Sequence, residues 1–310
     1  MTDPIDDEAR DFLNLMDANP PPPAREVPID EFRRLAHDAL GVSGDPKPVE
    51  TVNDEELPGA AGPLRARRYV AAERDGGLLV YFHGGGFVRG DLVTHDPLCR
   101  RLANAARCEV LAIDYRLAPE HPFPAAAEDA VAVTEWAGEA HGGPLAVGGD
   151  SSGGNLAAVA AIHARDAGGP ELAAQVLLYP VTDATMGSPS MDDLAEGRML
   201  TKDTLSWMYD QYFPDGTDRS DPRASPLLAE SLEGLPPAVV VAAGNDPLRD
   251  DATRYATRLE EAGVPVEQLV YGGTIHSFML YAGVLEAGME GAAAVGQALA
   301  RLLQTARNSA

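Results

Sequence analysis

The sequence predicts an α/β fold in which helices cover both faces of a mostly parallel central sheet and a helical cap lies over it. Six short apolar runs alternate with helical stretches from residue 78 onward, as in sheets built from strand–helix–strand units. Two amphipathic stripes without strands precede that pattern, and a connection of about 60 residues interrupts it. The chain has 310 residues and is 45% hydrophobic, which suffices for one large domain with insertions or for two domains.

Residues 1–45 are assigned to the N-terminal helical part of the cap. Apolar side chains recur there at helical spacing in two stretches, which are separated by the prolines at 20–23 and ended by Gly41. These side chains are Ile5, Ala9, Phe12, Leu13 and Met16, followed by Ile29, Phe32, Leu35, Ala36, Ala39 and Leu40. A peripheral helical extension is the alternative to a cap.

The α/β core is assigned to residues 46–183 and 223–310. The predicted strands are rich in Val, Leu, Ile and Tyr and cover Leu78–Phe82, Val110–Asp114, Leu145–Gly148, Val176–Tyr179, Ala238–Ala243 and Val266–Tyr271. The predicted helices between them cover Pro97–Ala106, Ala125–His141, Asn155–Ala167 and Asp250–Ala262. We expect Leu64–Ala71 to supply an earlier strand nearer the sheet edge.

The long connection is assigned to a second cap segment at residues 184–222. Leu205, Met208, Tyr209 and Tyr212 have helical spacing within it. The aromatic and methionine stripe of Trp207, Met208 and Tyr212 forms either the core of this cap or a contact for an acyl group.

The composition excludes several classes of protein. Asp and Glu number 48 against 24 Lys and Arg, and the formal charge of −24 repels nucleic acid and anionic membranes. Cys99 and Cys108 are the only cysteines, which excludes a disulfide scaffold and favours two buried thiols in a reducing compartment. Neither a secretory signal pattern nor a membrane-spanning run is found, so we expect a cytoplasmic protein. The acidic, lysine-poor composition also fits a salt-tolerant protein, with codon bias as the alternative.

The strongest chemical signal is the pentapeptide Gly149-Asp150-Ser151-Ser152-Gly153. It follows a predicted strand and opens a predicted helix, the context in which a G-x-S-x-G turn exposes a nucleophilic serine. The glycines let neighbouring backbone pass close to the turn, and the helix N-terminus adds positive partial charge where an oxyanion forms. Ser151 is therefore the candidate nucleophile.

A second signal is His83-Gly84-Gly85-Gly86-Phe87, directly after the first predicted strand of the alternating pattern. Three successive glycines expose backbone N–H groups with no side chain in the way, which suits an oxyanion hole. A flexible turn or an anion-binding loop is the alternative. A P-loop is excluded because no Gly-Lys-Ser or Gly-Lys-Thr follows, and the match to a dinucleotide-binding motif is weak.

A serine nucleophile needs a base and a group that orients the base, here in the chain order Ser, Asp or Glu, His. His276 follows the last predicted strand, whereas His163 falls within a predicted helix and points away from the serine. Asp246 follows the fifth predicted strand and is preferred to Asp250, for which helix capping is the simpler explanation. The sequence thus predicts Ser151 as nucleophile, His276 as general acid and base, and Asp246 as the orienting carboxylate.

These motifs together resemble the hormone-sensitive-lipase-like esterases, which form bacterial family IV of the α/β-hydrolase fold. The resemblance runs from about residue 60 to 285 and rests on His83–Phe87, Asp114–Ala125, Gly149–Asn155, Ser225–Leu228, Asp246–Asp250 and His276–Phe278. It implies hydrolysis of short- to medium-chain carboxylic esters without a metal or organic cofactor. It also implies oxyanion donors at the amides of Gly85, Gly86 and Ser152. Ser152 replaces the usual alanine of the family but keeps the backbone N–H.

Phe87, Asp150 and Tyr179 are candidates for substrate contact. Hydrogen bonding within the elbow is the alternative for Asp150, and packing at the end of a strand is the alternative for Tyr179. An amidase or deacetylase would use the same triad, so the sequence does not separate it from an esterase.

A ligand-binding receptor on the same scaffold is a third reading, and the presence of His276 argues against it. The expected partner is a small-molecule ester, neutral or cationic because the protein is acidic. The resemblance also implies a homodimer formed through Val266–Tyr271.

Overall fold

One sheet of eight strands crosses the part of the chain that the computed structural model describes, residues 4–196 and 199–309. The strands span Thr51–Gly59 (β1), Gly62–Val70 (β2), Leu78–Phe82 (β3), Glu109–Asp114 (β4), Leu145–Asp150 (β5), Leu172–Leu178 (β6), Ala238–Asn245 (β7) and Val266–Ile275 (β8). Their order is β1-β2-β4-β3-β5-β6-β7-β8, and β2 runs antiparallel to both of its neighbours. The predicted mostly parallel sheet is therefore confirmed.

The six strands predicted from apolar runs all lie in the parallel part of the sheet, as β3 to β8. Every residue of β3, β5 and β7 is buried, as expected where helices cover both faces. Because the strands are parallel, β5, β7 and β8 end at the same edge of the sheet. Their last residues are Asp150, Asn245 and Ile275, so the residues that follow each strand can meet.

The edge strand β1 was not predicted from the sequence. Most of its residues are exposed or half-buried, and they show no alternation of apolar and polar side chains. Ion pairs hold it to β2: Arg67 Nε lies 2.6 Å from Asp54 Oδ1, and Arg68 Nε lies 2.7 Å from Glu55 Oε1. The expected strand at Leu64–Ala71 corresponds to β2, which lies second from the edge.

Within the described residues, two α-helices precede the first strand in the sequence, and the other α-helices lie between or after the strands. They span Asp7–Ala18 (α1), Ile29–Asp38 (α2), Asp96–Ala106 (α3), Ala125–Ala140 (α4), Ser152–Ala167 (α5), Ser190–Asp193 (α6), Lys202–Tyr212 (α7), Arg249–Glu261 (α8) and Glu286–Ser309 (α9). The four predicted core helices correspond to α3, α4, α5 and α8. Helix α9 was not predicted, and it packs on α3 with Val295, Leu299 and Leu303 buried.

The N-terminal helices contact the segment between β6 and β7. The ring of Phe32 in α2 meets that of Trp207 in α7 edge-on, with centroids 4.8 Å apart. Arg25 Nε, before α2, lies 3.1 Å from Asp203 Oδ1 of α7. The predicted segments 1–45, 184–222 and 223–310 include residues 1–3, 197–198 and 310, which lie outside the described residues. Their division into cap and core stays a prediction.

Cys99 and Cys108 are buried free thiols, as expected from the sequence. Burial raises the pKa of Cys108 to about 12. Within residues 4–196 and 199–309, no helix combines the length and the apolar character that a membrane crossing requires.

Candidate active site

Ser151 occupies the turn between β5 and α5. Its φ of 53° and ψ of −118° are strained for a residue with a side chain, as expected of a nucleophile elbow. Gly153 has no room for a side chain, because a Cβ atom there would lie 1.9 Å from the carbonyl oxygen of Phe82. The turn therefore presses against the end of β3 and holds Ser151, which is 6% exposed, at the N-terminus of α5.

The sheet brings Ser151, His276 and Asp246 together. His276 Nε2 is 3.1 Å from Ser151 Oγ, and His276 Nδ1 is 2.7 Å from Asp246 Oδ2. Asp246 Oδ1 accepts a hydrogen bond from the Leu248 amide at 2.9 Å, which fixes the orientation of the carboxylate. Asp246 is fully buried. This chain of contacts allows the imidazole to take a proton from the serine hydroxyl while the carboxylate holds its other nitrogen.

Asp250 and His163, the two residues not preferred in the sequence analysis, have other partners in the structure. Asp250 accepts a hydrogen bond from the Ser190 amide at 2.9 Å and from Arg249 Nε at 2.7 Å. His163 is half-buried on α5, with its Nε2 atom 3.2 Å from Glu135 Oε1. The geometry therefore agrees with the choice of Asp246 and His276.

The glycine loop follows β3 and folds back over the elbow. Gly85 and Gly86 have φ values of 125° and 63°. A Cβ atom on Gly86 would lie 2.1 Å from the sulfur of Met208, so this glycine permits close approach of helix α7. Among the described residues, no hydrogen bond is donated by the amides of Gly85, Gly86 or Ser152. These three N–H groups therefore stay available to an oxygen atom of a ligand.

Asp150, a candidate for substrate contact, is fully engaged with protein groups. Its Oδ1 atom accepts hydrogen bonds from Tyr81 Oη at 2.7 Å and from the Gly84 amide at 2.9 Å. His95 Nε2 lies 3.2 Å from the same oxygen. Burial alone would raise the pKa of Asp150, but His95, Tyr81 and the Gly84 amide together lower it. The carboxylate thus links the elbow to the glycine loop, which is the alternative the sequence left open.

Phe87 and Tyr179 pack around the site. The ring of Phe87 stacks on Tyr212 of α7, with centroids 4.0 Å apart and an interplanar angle of 11°. The ring of Tyr179 meets His276 edge-on at 5.2 Å. Both side chains are almost fully buried. Tyr212 and Met208, from the stripe in the second cap segment, therefore contact the glycine loop directly.

Two buried histidines beside the three glycines were assigned no role of their own from the sequence. His95 contacts Asp150, and His83 stacks on Tyr115 with centroids 4.3 Å apart. Burial and the neighbouring His95 lower the pKa of His83 to about 4. His83 opens the glycine motif found in the sequence, whereas His95 belongs to no motif, and only its polarity in an apolar context could have drawn attention to it.

Other features of the surface do not compete with this site. Within the described ranges, no group of three or more His, Cys, Asp and Glu side chains is arranged to hold a metal ion. A groove of about 590 Å³ lies between α4, α5 and residues 221–223, and none of the three contacting residues lines it. Cavity volume therefore does not identify the reactive centre, whereas the side-chain chemistry does.

Comparison with known proteins agrees with this geometry. A family model described as alpha/beta hydrolase fold matches residues 79–280. The chain belongs to the hormone-sensitive-lipase-like α/β hydrolases. This hydrolase is 43% identical to "Carboxylic ester hydrolase LipN" of Mycobacterium tuberculosis, over 86% of its own length and 78% of the relative's. It is 39% identical to "Ethyl acetate hydrolase" of Pseudomonas putida, over 89% and 91% of the two chains.

Solved structures extend the similarity to nearly all of this chain. The ester-hydrolase EH1AB1 from the metagenome of Lake Arreo, complexed with a derivative of bipyridine phosphonate, superposes with a TM-score of 0.93. That protein is 41% identical over 96% of this chain and 98% of its own. A hyperthermophilic esterase from the archaeon Pyrobaculum calidifontis has a TM-score of 0.90 and 37% identity, over 97% and 99% of the two chains.

Proposed function

We propose that the protein is a serine carboxylesterase that hydrolyses carboxylic esters through an acyl-enzyme on Ser151. The observation that carries the proposal is the chain of contacts from Ser151 Oγ to His276 at 3.1 Å and from His276 to Asp246 at 2.7 Å. The relatives named as ester hydrolases support the same reaction class.

In the proposed reaction, Ser151 Oγ attacks the ester carbonyl while His276 Nε2 takes the hydroxyl proton. His276 then gives that proton to the leaving alcohol, and an acyl-enzyme remains. Water attacks the acyl group in the second half, with His276 again taking and returning a proton. Asp246 accepts the Nδ1 hydrogen of His276 and stabilises the imidazolium that forms in each half.

The amides of Gly85, Gly86 and Ser152 are the proposed oxyanion donors. They belong to the two backbone turns that meet at Ser151, and none of them donates a hydrogen bond within the described residues. The position of Ser152 at the first turn of α5 adds the favourable end of the helix dipole. Asp150 is the proposed positioning residue, because it binds the Gly84 amide and so fixes where the loop begins.

Esters of short- to medium-chain acyl groups are the proposed substrates, and residues 1–45 and 184–222, which contain α2 and α7, are the proposed cap. Phe87, Met208 and Tyr212 crowd the space above the glycine loop, which supports a short acyl site. The contact of Phe32 with Trp207 supports joint action of the two cap segments.

A series of 4-nitrophenyl esters from acetate to dodecanoate tests the activity. We expect the highest kcat/KM for chains of about four to six carbons, and a fall of about 10⁴-fold or more for Ser151→Ala. Ser309→Ala, at the exposed end of α9, is the matched control and keeps full activity. Wild-type activity in Ser151→Ala would overturn the mechanism. Matched anilides, cleaved faster than the esters, would redirect the assignment to an amidase.

A homodimer through β8 is also proposed, with Val266–Tyr271 at the interface. β8 is an edge strand of the sheet, and its Val270 is 57% exposed. Light scattering on the purified protein is expected to give twice the chain mass, and Val270→Lys to shift it toward the monomer. A monomeric wild type at micromolar concentration would contradict this assembly.

A cytoplasmic location is proposed on the support of two unpaired buried thiols, which suit a reducing compartment. Recovery of the esterase activity in the cytosolic fraction of the source cells is the expected result. Recovery in the secreted fraction would contradict the proposal.

A further inference from the structure

Arg89 places a positive charge between the glycine loop and the N-terminal helices. Its amide donates to the carbonyl oxygen of Gly85 at 3.1 Å, so it closes the turn that carries the proposed oxyanion donors. Its guanidinium carbon lies 4.5 Å from the centroid of the Phe32 ring in α2. Phe32 in turn contacts Trp207 of α7, so the guanidinium lies beneath the proposed cap.

Among the residues that the structure describes, none places a carboxylate on the guanidinium of Arg89. Within the described residues it takes part in no ion pair and no hydrogen bond, although it is half-buried and burial lowers its pKa. The neighbouring Arg33 pairs with Glu120 at 2.6 Å, and Arg116 pairs with the buried Asp129 at 2.8 Å. A partly desolvated guanidinium without a carboxylate partner keeps its N–H groups available to an anion, and a bound anion would offset the free energy that desolvation costs.

The same guanidinium acts on the segment that follows His276. Tyr281 lies in the short helical turn Phe278–Tyr281, five residues after the histidine. Burial raises the pKa of Tyr281, and the charge of Arg89 opposes that rise. The side chain of Arg89 lies against the glycine loop, where a Cβ atom on Gly85 would be 3.1 Å from Arg89 Cγ, and its charge also influences Tyr281 in the turn after β8.

We propose that Arg89 is a specificity-determining residue that binds a carboxylate group of the substrate, so that the hydrolase acts on esters of carboxylate-bearing acids or alcohols. The inference rests on the proposed esterase function and deepens it. A planar guanidinium suits a carboxylate because two parallel N–H groups can face its two oxygens. The net charge of −24 favours neutral or cationic esters at long range, but it is screened beyond about 8 Å in physiological salt. Contacts inside the site therefore decide which ester is bound.

Two pairs of matched substrates test the proposal. For the acid side, 4-nitrophenyl butyrate is compared with mono-4-nitrophenyl succinate, in which a carboxylate replaces the terminal methyl group. For the alcohol side, phenyl acetate is compared with 4-acetoxybenzoate. The variants are Arg89→Met, Arg89→Lys and, as a control for loss of charge, Arg74→Met, whose exposed side chain pairs with Glu50 away from the site.

The readout is kcat/KM for the carboxylate ester divided by kcat/KM for its neutral match. In at least one pair we expect Arg89→Met to lower this ratio about 10-fold to 100-fold and Arg89→Lys to lower it less, while Arg74→Met leaves it at the wild-type value. A variant that folds poorly lowers kcat/KM for both esters of a pair and leaves the ratio of the two values unchanged.

The proposal is overturned if Arg89→Met changes both ratios by less than about twofold. Arg89 would then have only a structural role, through its packing on the Phe32 ring. It is also overturned if the wild type cleaves the neutral esters and neither carboxylate ester. Inactivity of the wild type toward all four esters would instead overturn the esterase function itself.

Discussion

Two aspartates, one just before α8 and one in its first turn, have the same burial and different surroundings. Asp246 and Asp251 are five residues apart, and both are 0% exposed. Asp246 faces the imidazole of His276 at 2.7 Å. Within the described part of the chain, Asp251 accepts hydrogen bonds from neutral donors: its Oδ2 accepts from the amides of Thr182 and Asp183 at 2.9 Å each, and its Oδ1 accepts from the Ser188 hydroxyl.

The partner therefore decides what a buried carboxylate does. His276 can become a cation during the reaction, so the carboxylate of Asp246 stabilises a charge that appears there. Asp251 has no such partner, and burial raises its pKa from 3.8 to about 7 although its three donors oppose the rise. The hydrogen bonds of Asp251 connect the beginning of the second cap segment to α8. One carboxylate thus serves the proposed chemistry, and the other holds the structure beside it.

The largest expected difference between the two positions is in catalysis. Asp246→Asn should lower kcat by about 10³-fold to 10⁴-fold, because an amide donates to His276 Nδ1 and imposes the wrong tautomer. Asp251→Asn should lower it by less than about 10-fold, because an Asn side chain can accept from the two amides and donate to the Ser188 oxygen. Steady-state kinetics on 4-nitrophenyl butyrate measures both. Equal losses would show that the two carboxylates act as one unit.

The next difference is in how stability depends on pH. The folded state holds a proton on Asp251 up to about pH 7, whereas the unfolded chain releases it near pH 3.8. The folded state binds more protons in that window, so this group contributes stability at low pH and loses it as the pH rises toward 7. The expected loss between pH 5 and 8 is about 1 to 4 kcal/mol of unfolding free energy.

Urea unfolding of the wild type and Asp251→Asn at several pH values isolates this contribution. His83 acts in the opposite direction, because burial lowers its pKa to about 4 and stability then rises with pH as the unfolded histidine loses its proton. The difference between the two proteins cancels that effect. A difference that stays constant from pH 5 to 8 would mean that Asp251 is ionised throughout. Arg254, which contacts Ser188 and Asp183, would then be its compensating charge.

The smallest expected effect concerns the donor to Asp251. Ser188→Ala removes a buried hydroxyl and should lower the unfolding free energy by about 1 to 3 kcal/mol, with kcat close to the wild-type value. Ser309→Ala is the matched control and should be neutral. A large loss of kcat in Ser188→Ala would place Ser188 in the path that positions Asp246.

The site and the sheet also show which features could be predicted from the sequence alone. Ser151, Asp246 and His276 follow parallel strands with strong apolar runs, and their chain order restricts the choices. Strand β1 escaped prediction because its charged residues pair across to β2 and contribute little to the apolar pattern.

The roles of Arg89 and Asp251 could not be predicted from the sequence for a different reason. Their roles depend on partners that are distant in sequence: Arg89 meets Phe32, and Asp251 meets Ser188. No local pattern encodes such contacts, because they arise only when the cap segments pack on the core.

Covalent labelling with an aryl phosphonate ester tests most directly whether Ser151 is the nucleophile. Intact-mass spectrometry should show one adduct per wild-type chain, and fragmentation of the peptide that contains Gly149–Gly153 should place it on Ser151. The adduct should form more slowly in Asp246→Asn and not at all in Ser151→Ala. An adduct of equal stoichiometry in Ser151→Ala, or one located on another residue of the wild type, would contradict the account.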